Sequence, residues 1–224
     1  MSAVETMDDW TTQRAPVEDR EYRALCGLVA AAIPHLCWRH NGLGLLQAYL
    51  HEGTTCEQRV HIWHKSLMRP GIEESGLLHD HRFDLVSHVL VGSLAQVEYK
   101  LKPAEYGYWQ LHNVVPARKA LAVSGTNDGL VSALPERHAA EKRAMVVSEG
   151  YSYSFPKFQF HGTHTQTEMV VTLVEKRAQE EAQARIMAPY GRPVVHAFAD
   201  PYPEWVWLPV LEEARTALLE RWRS

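Results

Sequence analysis

Apolar residues recur along this chain with two different periods, and the changes of period mark its elements. Tyr22, Leu25, Cys26, Leu28, Val29 and Ile33 return at helical spacing. Pro16 and the acidic residues Glu18, Asp19 and Glu21 suit a helix start, so a helix is predicted to about Ala32, stopped by Pro34. Residues 1–16 read as a loose arm. Leu45 to Leu50 fits a short strand or helix, closed by Gly53.

The period then drops to two. From Cys56 to Lys65, Val60, Ile62 and His64 share one face of a predicted strand, and Arg59, His61 and Trp63 share the other. The pattern does not say which face is interior. Pro70-Gly71 marks a turn. A β-branched run from Leu85 to Val91 follows, then Gly92-Ser93, then Leu94 to Leu101, which together predict a hairpin. Tyr106 to Val115 has strand character. Residues 116–140 read as an irregular excursion, with a turn signal at Thr126-Asn127-Asp128-Gly129. Ala144 to Phe155 reads as one strand broken by Pro156, and Thr167 to Val174 as another. The charged run Lys176 to Ala184 is predicted to be an exposed turn or linker. Arg185 to Met187 and Val194 to Phe198 fit short strands. The last helix runs from Pro203 to Trp222, with Val206, Val210, Leu211, Ala214, Leu218 and Trp222 as its apolar stripe, unless Pro209 sets its true start.

Short strands with helices only near the ends predict a sandwich or barrel. Within 224 residues the division is an arm and helix over 1–55, a barrel over 56–200 and a helix over 201–224. Composition adds exclusions. Lys+Arg of 23 against Asp+Glu of 27 gives a net charge of −4, with no basic stripe, so no nucleic-acid partner is expected. No apolar run is long enough to span a membrane. The polar start Met1 to Glu5 carries no signal-peptide core, and three cysteines without a Cys-x-x-Cys fit a reduced, cytoplasmic setting.

Histidine changes the picture most. There are 13, and His61, His64, His79, His81 and His88 crowd one stretch. His79 and His81 precede the β-branched run, and in extended chain residues i and i+2 point the same way. They can converge on one metal ion, with His161 from the segment Pro156-Lys157-Phe158-Gln159-Phe160-His161 as a third donor. Asp80 and His88 are out of phase with the pair. Asp84 is favoured as a solvated carboxylate or one that supports a ligand from behind, and His164 joins only if a bulge intervenes.

These two segments resemble the two motifs of the cupin superfamily. His79-Asp80-His81 and Gly92 match the first, and Pro156 to His161 matches the second, with Phe158 where the motif has glycine. The resemblance covers roughly residues 56–175 and implies a mainly β fold, a double-stranded β-helix (jelly-roll) barrel with the terminal helices packed outside. A further departure bears on the ligands: the motif's glutamate falls on Leu85, which cannot ligate. What remains is a three-histidine metal site, His79, His81 and His161, resembling that of thiol-dioxygenase-type cupins. The resemblance implies Fe(II) as the metal, with Zn, Ni, Mn or Cu as alternatives, and dioxygenase chemistry on a small polar, amino-acid- or carboxylate-like substrate. Alternatives are a zinc-type isomerase, lyase or bond-forming enzyme, and a non-catalytic ligand-binding barrel. Arg59, Arg82 and Trp63 are the candidate substrate-binding residues, and Tyr153 and His64 the candidate catalytic ones. Cupins often pair, so a homodimer is the expected assembly.

Overall fold

The alternating segments build two antiparallel sheets, and the helical segments cover one of them from outside. A computed structural model describes residues 13–41, 45–53, 56–67, 78–114, 131–191 and 203–224. In chain order these form β1 (Gln13–Pro16), α1 (Asp19–Ala32), β2 (Arg39–Asn41), β3 (Leu45–Glu52), β4 (Cys56–His64), β5 (Asp84–Val91), β6 (Ser93–Pro103) and β7 (Trp109–Val114). Then come β8 (Val131–Ser148), β9 (Tyr151–Phe155), β10 (Phe160–Thr165), β11 (Met169–Arg177), β12 (Ala184–Pro189) and α2 (Glu204–Arg223). One sheet has the order β1-β9-β5-β11-β4-β3-β2 and the other β10-β6-β8-β7-β12. The fold is mainly β with helices outside, the architecture the sequence predicts. The described residues contain no helix long and apolar enough to cross a membrane.

The seven-stranded sheet sorts its residues by alternation. On its outer face, Leu46, Val60, Ile62, Val171 and Leu173 pack against Cys26, Val29 and Ala30 of α1 and Val210, Leu211, Ala214 and Leu218 of α2. On its inner face, Leu45, Trp63, Leu85, Val89, Val170, Val174, Tyr153 and Phe155 form a second cluster with Leu94 and Val147 of the other sheet. The interior lies between the sheets. His79 closes one gap: it bridges both His161 on β10 and Ile186 on β12, the two end strands of the five-stranded sheet.

The structure corrects several expectations. The stretch before Pro16 is no loose arm throughout, since Gln13 to Pro16 pair with Tyr151 to Ser154 on β9. Strands β2 and β3 extend the large sheet beyond β4, so sheet residues precede position 56. The expected hairpin at Gly92 is a crossing: β5 pairs with β9 and β11, whereas β6 pairs with β8 and β10 in the other sheet. Gly92 has φ +76, and a Cβ there would stand 2.2 Å from the Met169 carbonyl oxygen, so no other residue fits without a shift. Residues 131–140 belong to the long strand β8 and are not irregular. The single strand expected over Ala144 to Phe155 is two, β8 and β9, turned at Gly150 with φ +79. Lys176 and Arg177 end β11 and are no linker. Helix α2 starts at Glu204, with Pro209 inside it. The turns at Pro70-Gly71 and Thr126–Gly129, and the strand over Val194 to Phe198, lie outside the described residues.

Candidate metal centre

His79, His81 and His161 come together. Their ligand nitrogens lie within 4.8 Å of one another. The ring centroids are 4.6 Å apart for His79 and His81, 4.7 Å for His79 and His161, and 5.0 Å for His81 and His161. His79 and His81 precede β5 rather than starting it, but their extended backbone still aims both rings one way. Two bonds fix the pair of segments: His79 N–H donates to the His161 carbonyl at 3.1 Å, and His161 N–H donates back to the His79 carbonyl at 3.0 Å.

Two of the rings are also fixed. His161 Nδ1 lies 3.0 Å from the Gln159 carbonyl oxygen. A carbonyl only accepts, so Nδ1 carries the proton and the Nε2 lone pair is left for a metal. The Phe155 ring stacks on His161 with centroids 4.2 Å apart, and Phe83 stacks on His81 at 4.7 Å. Burial, then the nearby His79, pushes the His161 pKa down to about 3. Burial, then His79 and His161, holds His81 well below the ordinary histidine range. Both rings are therefore neutral at pH 7, the form that ligates. Three converging imidazoles, two of them neutral and the His161 lone pair aimed inward, fit a first-row divalent ion.

The second motif keeps its backbone without its glycine. Phe158 has φ +65, the left-handed region. Its N–H donates to the His81 carbonyl at 2.6 Å, and Asp84 Oδ1 accepts from Lys157 N–H at 2.9 Å. Those bonds hold a conformation that costs a non-glycine residue about 1 kcal/mol or more. Asp84 is thus engaged in shaping this turn. Asp80, only 1% exposed, points away from the rings and pairs with Arg185, accepting from its Nε at 2.8 Å.

Leu85 is where the motif's carboxylate would be. It is 6% exposed, in the interior cluster, and in register with Phe155. No carboxylate joins the three-histidine group among the described residues. His88 pairs with Leu173 on the outer face, and His164, in a regular strand, is out of phase with His161.

The other predicted site residues divide. Trp63 faces the interior, with its ring edge-on to His61 at 5.5 Å. Tyr153 is buried there too, and burial pushes its phenol up to about 12 against the opposing influence of Ser87 and Gln96. Arg59 pairs in register with Val174 and so shares that inner face; its guanidinium bonds the Tyr49 hydroxyl at 2.7 Å. Arg82 lies close enough to Lys176 to disfavour its charge. His64 is the correction. It pairs with Met169 on the helix-covered face, where Nδ1 meets the Ser66 hydroxyl at 2.7 Å and Nε2 lies 3.5 Å from Glu213 of α2. It cannot act at the three-histidine cluster; His61, one residue out of phase, is the histidine of β4 that faces inward.

Three interior charged residues went unpredicted: Glu57, Glu98 and Lys176. Glu98 is buried in register with His161 and lines a small chamber with Gln96, Arg143, Met145 and Phe155. Lys176 is 9% exposed, its Nζ 2.9 Å from Glu57 Oε1 and 4.3 Å above the Phe83 ring. Extending the Val170, Thr172, Val174 alternation by one step would have found it.

Burial, then Arg59, lowers the Lys176 pKa to about 7, with Arg82 adding to the shift and Glu57 opposing it. An unfolded lysine titrates near ~10.4. Between these values the unfolded chain holds a proton that the folded chain has released, so stability rises with pH across that window. Below pH 7 both states are protonated and the full cost of the buried ammonium is present. Lys176→Met is therefore expected to stabilise the metal-free chain by about 2 kcal/mol at pH 6, with the gain shrinking toward pH 10. Urea unfolding at both pH values checks this; a gain that grows with pH would refute it.

A scan against protein-family models and a search of curated proteins each return no match. Among solved structures, those similar in fold include cupins. An RmlC-like cupin from Shewanella frigidimarina is 18% identical, over 66% of this chain and 89% of that one, with a TM-score of 0.35. KdgF from a Halomonas species is 13% identical, over 65% and 89%, with a TM-score of 0.34. A DMSP lyase is 16% identical, over 76% and 79%, with a TM-score of 0.37. These are likenesses of fold alone.

Proposed function

We propose that this chain is a metal-dependent enzyme of cupin type, in its sharp form a mononuclear non-haem Fe(II) dioxygenase acting on a small carboxylate-bearing molecule. The observation that carries the reading is the convergence of three imidazoles, two of them neutral at pH 7, with leucine at the position of the motif's glutamate. A bound Fe(II) would supply redox chemistry with O2 at positions the protein leaves open.

The chain's own residues then have separate tasks. His79, His81 and His161 hold the ion, and the Gln159 carbonyl keeps the His161 proton on Nδ1. Phe83 and Phe155, stacked on two of the rings, keep water from that side. Arg59 presents its guanidinium to the interior, where a substrate carboxylate takes it bidentately. Tyr153 supplies a buried phenol on the β9 wall, its ring set edge-on to Phe155. A small-molecule substrate and a homodimer belong to the same proposal.

A second reading keeps the site and drops the oxygen, because three histidines are also a catalytic zinc set. Elemental analysis of protein purified without a metal-binding tag separates the two. Iron near one per chain, with substrate-dependent O2 uptake, is expected. Tightly held zinc with no O2 uptake would replace the dioxygenase by Lewis-acid chemistry.

A further inference from the structure

Leu85 and Lys176 are direct partners across β5 and β11. The same row runs from Phe155 on β9 through Leu85 and Lys176 to Glu57 on β4. Directly paired residues project from the same face, so Lys176 enters the interior beside the position that lacks a carboxylate. Its ammonium lies over Phe83, whose ring stacks on His81.

Charge in this corner does not balance. Glu57 Oε1 meets both Lys176 Nζ at 2.9 Å and Arg59 Nε at 2.5 Å, so one carboxylate serves two cations. Arg82 adds positive charge nearby. Glutamate at position 85 would have supplied a second anion next to Lys176, and leucine removes both a metal ligand and a counter-charge. The neutral rings of His81 and His161 add none. Buried charge of one sign is costly unless something neutralises it.

We infer that Lys176, acting with Arg59, is the recognition site for an anionic carboxylate on the molecule that binds at the three-histidine face, so that the ligand brings the carboxylate position 85 lacks. The inference rests on the metal reading above and assigns the substrate class: a small carboxylate whose neutral amide is discriminated against. Lys176 is then a specificity residue, with Glu57 holding both cations when the ligand is gone.

The test uses the full chain loaded with Co(II), whose visible spectrum reports on its coordination, titrated at pH 6 with acetate and separately with acetamide. Acetate is expected to change the spectrum at concentrations about tenfold or more below those acetamide requires. Lys176→Met is expected to weaken acetate about tenfold or more while Co(II) content and the acetamide response stay as in wild type. Lys176→Arg is expected to retain the preference. Leu85→Glu, which places a carboxylate beside Lys176, is expected to remove the acetate response. Where Lys176→Met does not fold, Lys176→Gln takes its place. Equal responses to acetate and acetamide, or unchanged acetate affinity without the lysine, would overturn the inference while the metal site stands. Wild-type chain that takes up no Co(II) would overturn the metal reading itself.

Discussion

His161→Ala leaves a folded chain that has lost its metal, with affinity reduced by more than about 100-fold. Removing the outer support of a ligating histidine already costs 10–100-fold, and here the ligand itself goes. The barrel survives because His161 enters the sheet through its backbone: its N–H and carbonyl both pair with His79, and alanine keeps both bonds. The side chain leaves a gap against Phe155, so some stability is lost, but no buried charge is stranded because the ring is neutral. Metal content by elemental analysis and unfolding by circular dichroism separate the two effects. Full metal retention would reject the site; loss of the β signal would show that the ring, not the backbone, holds the strand.

Phe155→Ala is expected to cost about 3–5 kcal/mol of folding stability, the range for deleting a fully buried aromatic ring. Phe155 is 2% exposed, stacks on His161 and meets Tyr153 edge-on at 5.6 Å. It joins the interior core to the metal face, so the same substitution also weakens metal binding by freeing the His161 ring. Urea unfolding and metal titration of one variant read both losses. A stability change under about 1 kcal/mol would mean that neighbouring side chains refill the space, as cores sometimes do.

The three converging histidines were legible because their geometry is local. An i, i+2 pair in extended chain needs only the chain's own period, and His161 follows a motif of fixed spacing. What was hidden depends on partners. Gly92 signals a reversal equally well for a hairpin and for a crossing between sheets; only the pairing of β5 with β9 and β11 decides. Residues 131–140 carry Pro135 and a run of polar side chains, so no alternation shows, yet pairing with β6 and β7 makes them strand. Lys176 opens a charged run that reads as solvated. Its burial follows from Glu57 and Phe83, which lie far away in sequence. His64 and His61 stand on opposite faces of β4, and the choice between them came only from knowing which face the helices cover.

The reciprocal bond between His79 and His161 makes coordination and sheet closure one event. Two of the three imidazoles hang from a single backbone pair, and His79 also reaches across to Ile186. Opening that pair would move two of the histidines apart and unfasten the two end strands of the five-stranded sheet together. A bound ion would then be a rivet through the seam of the barrel.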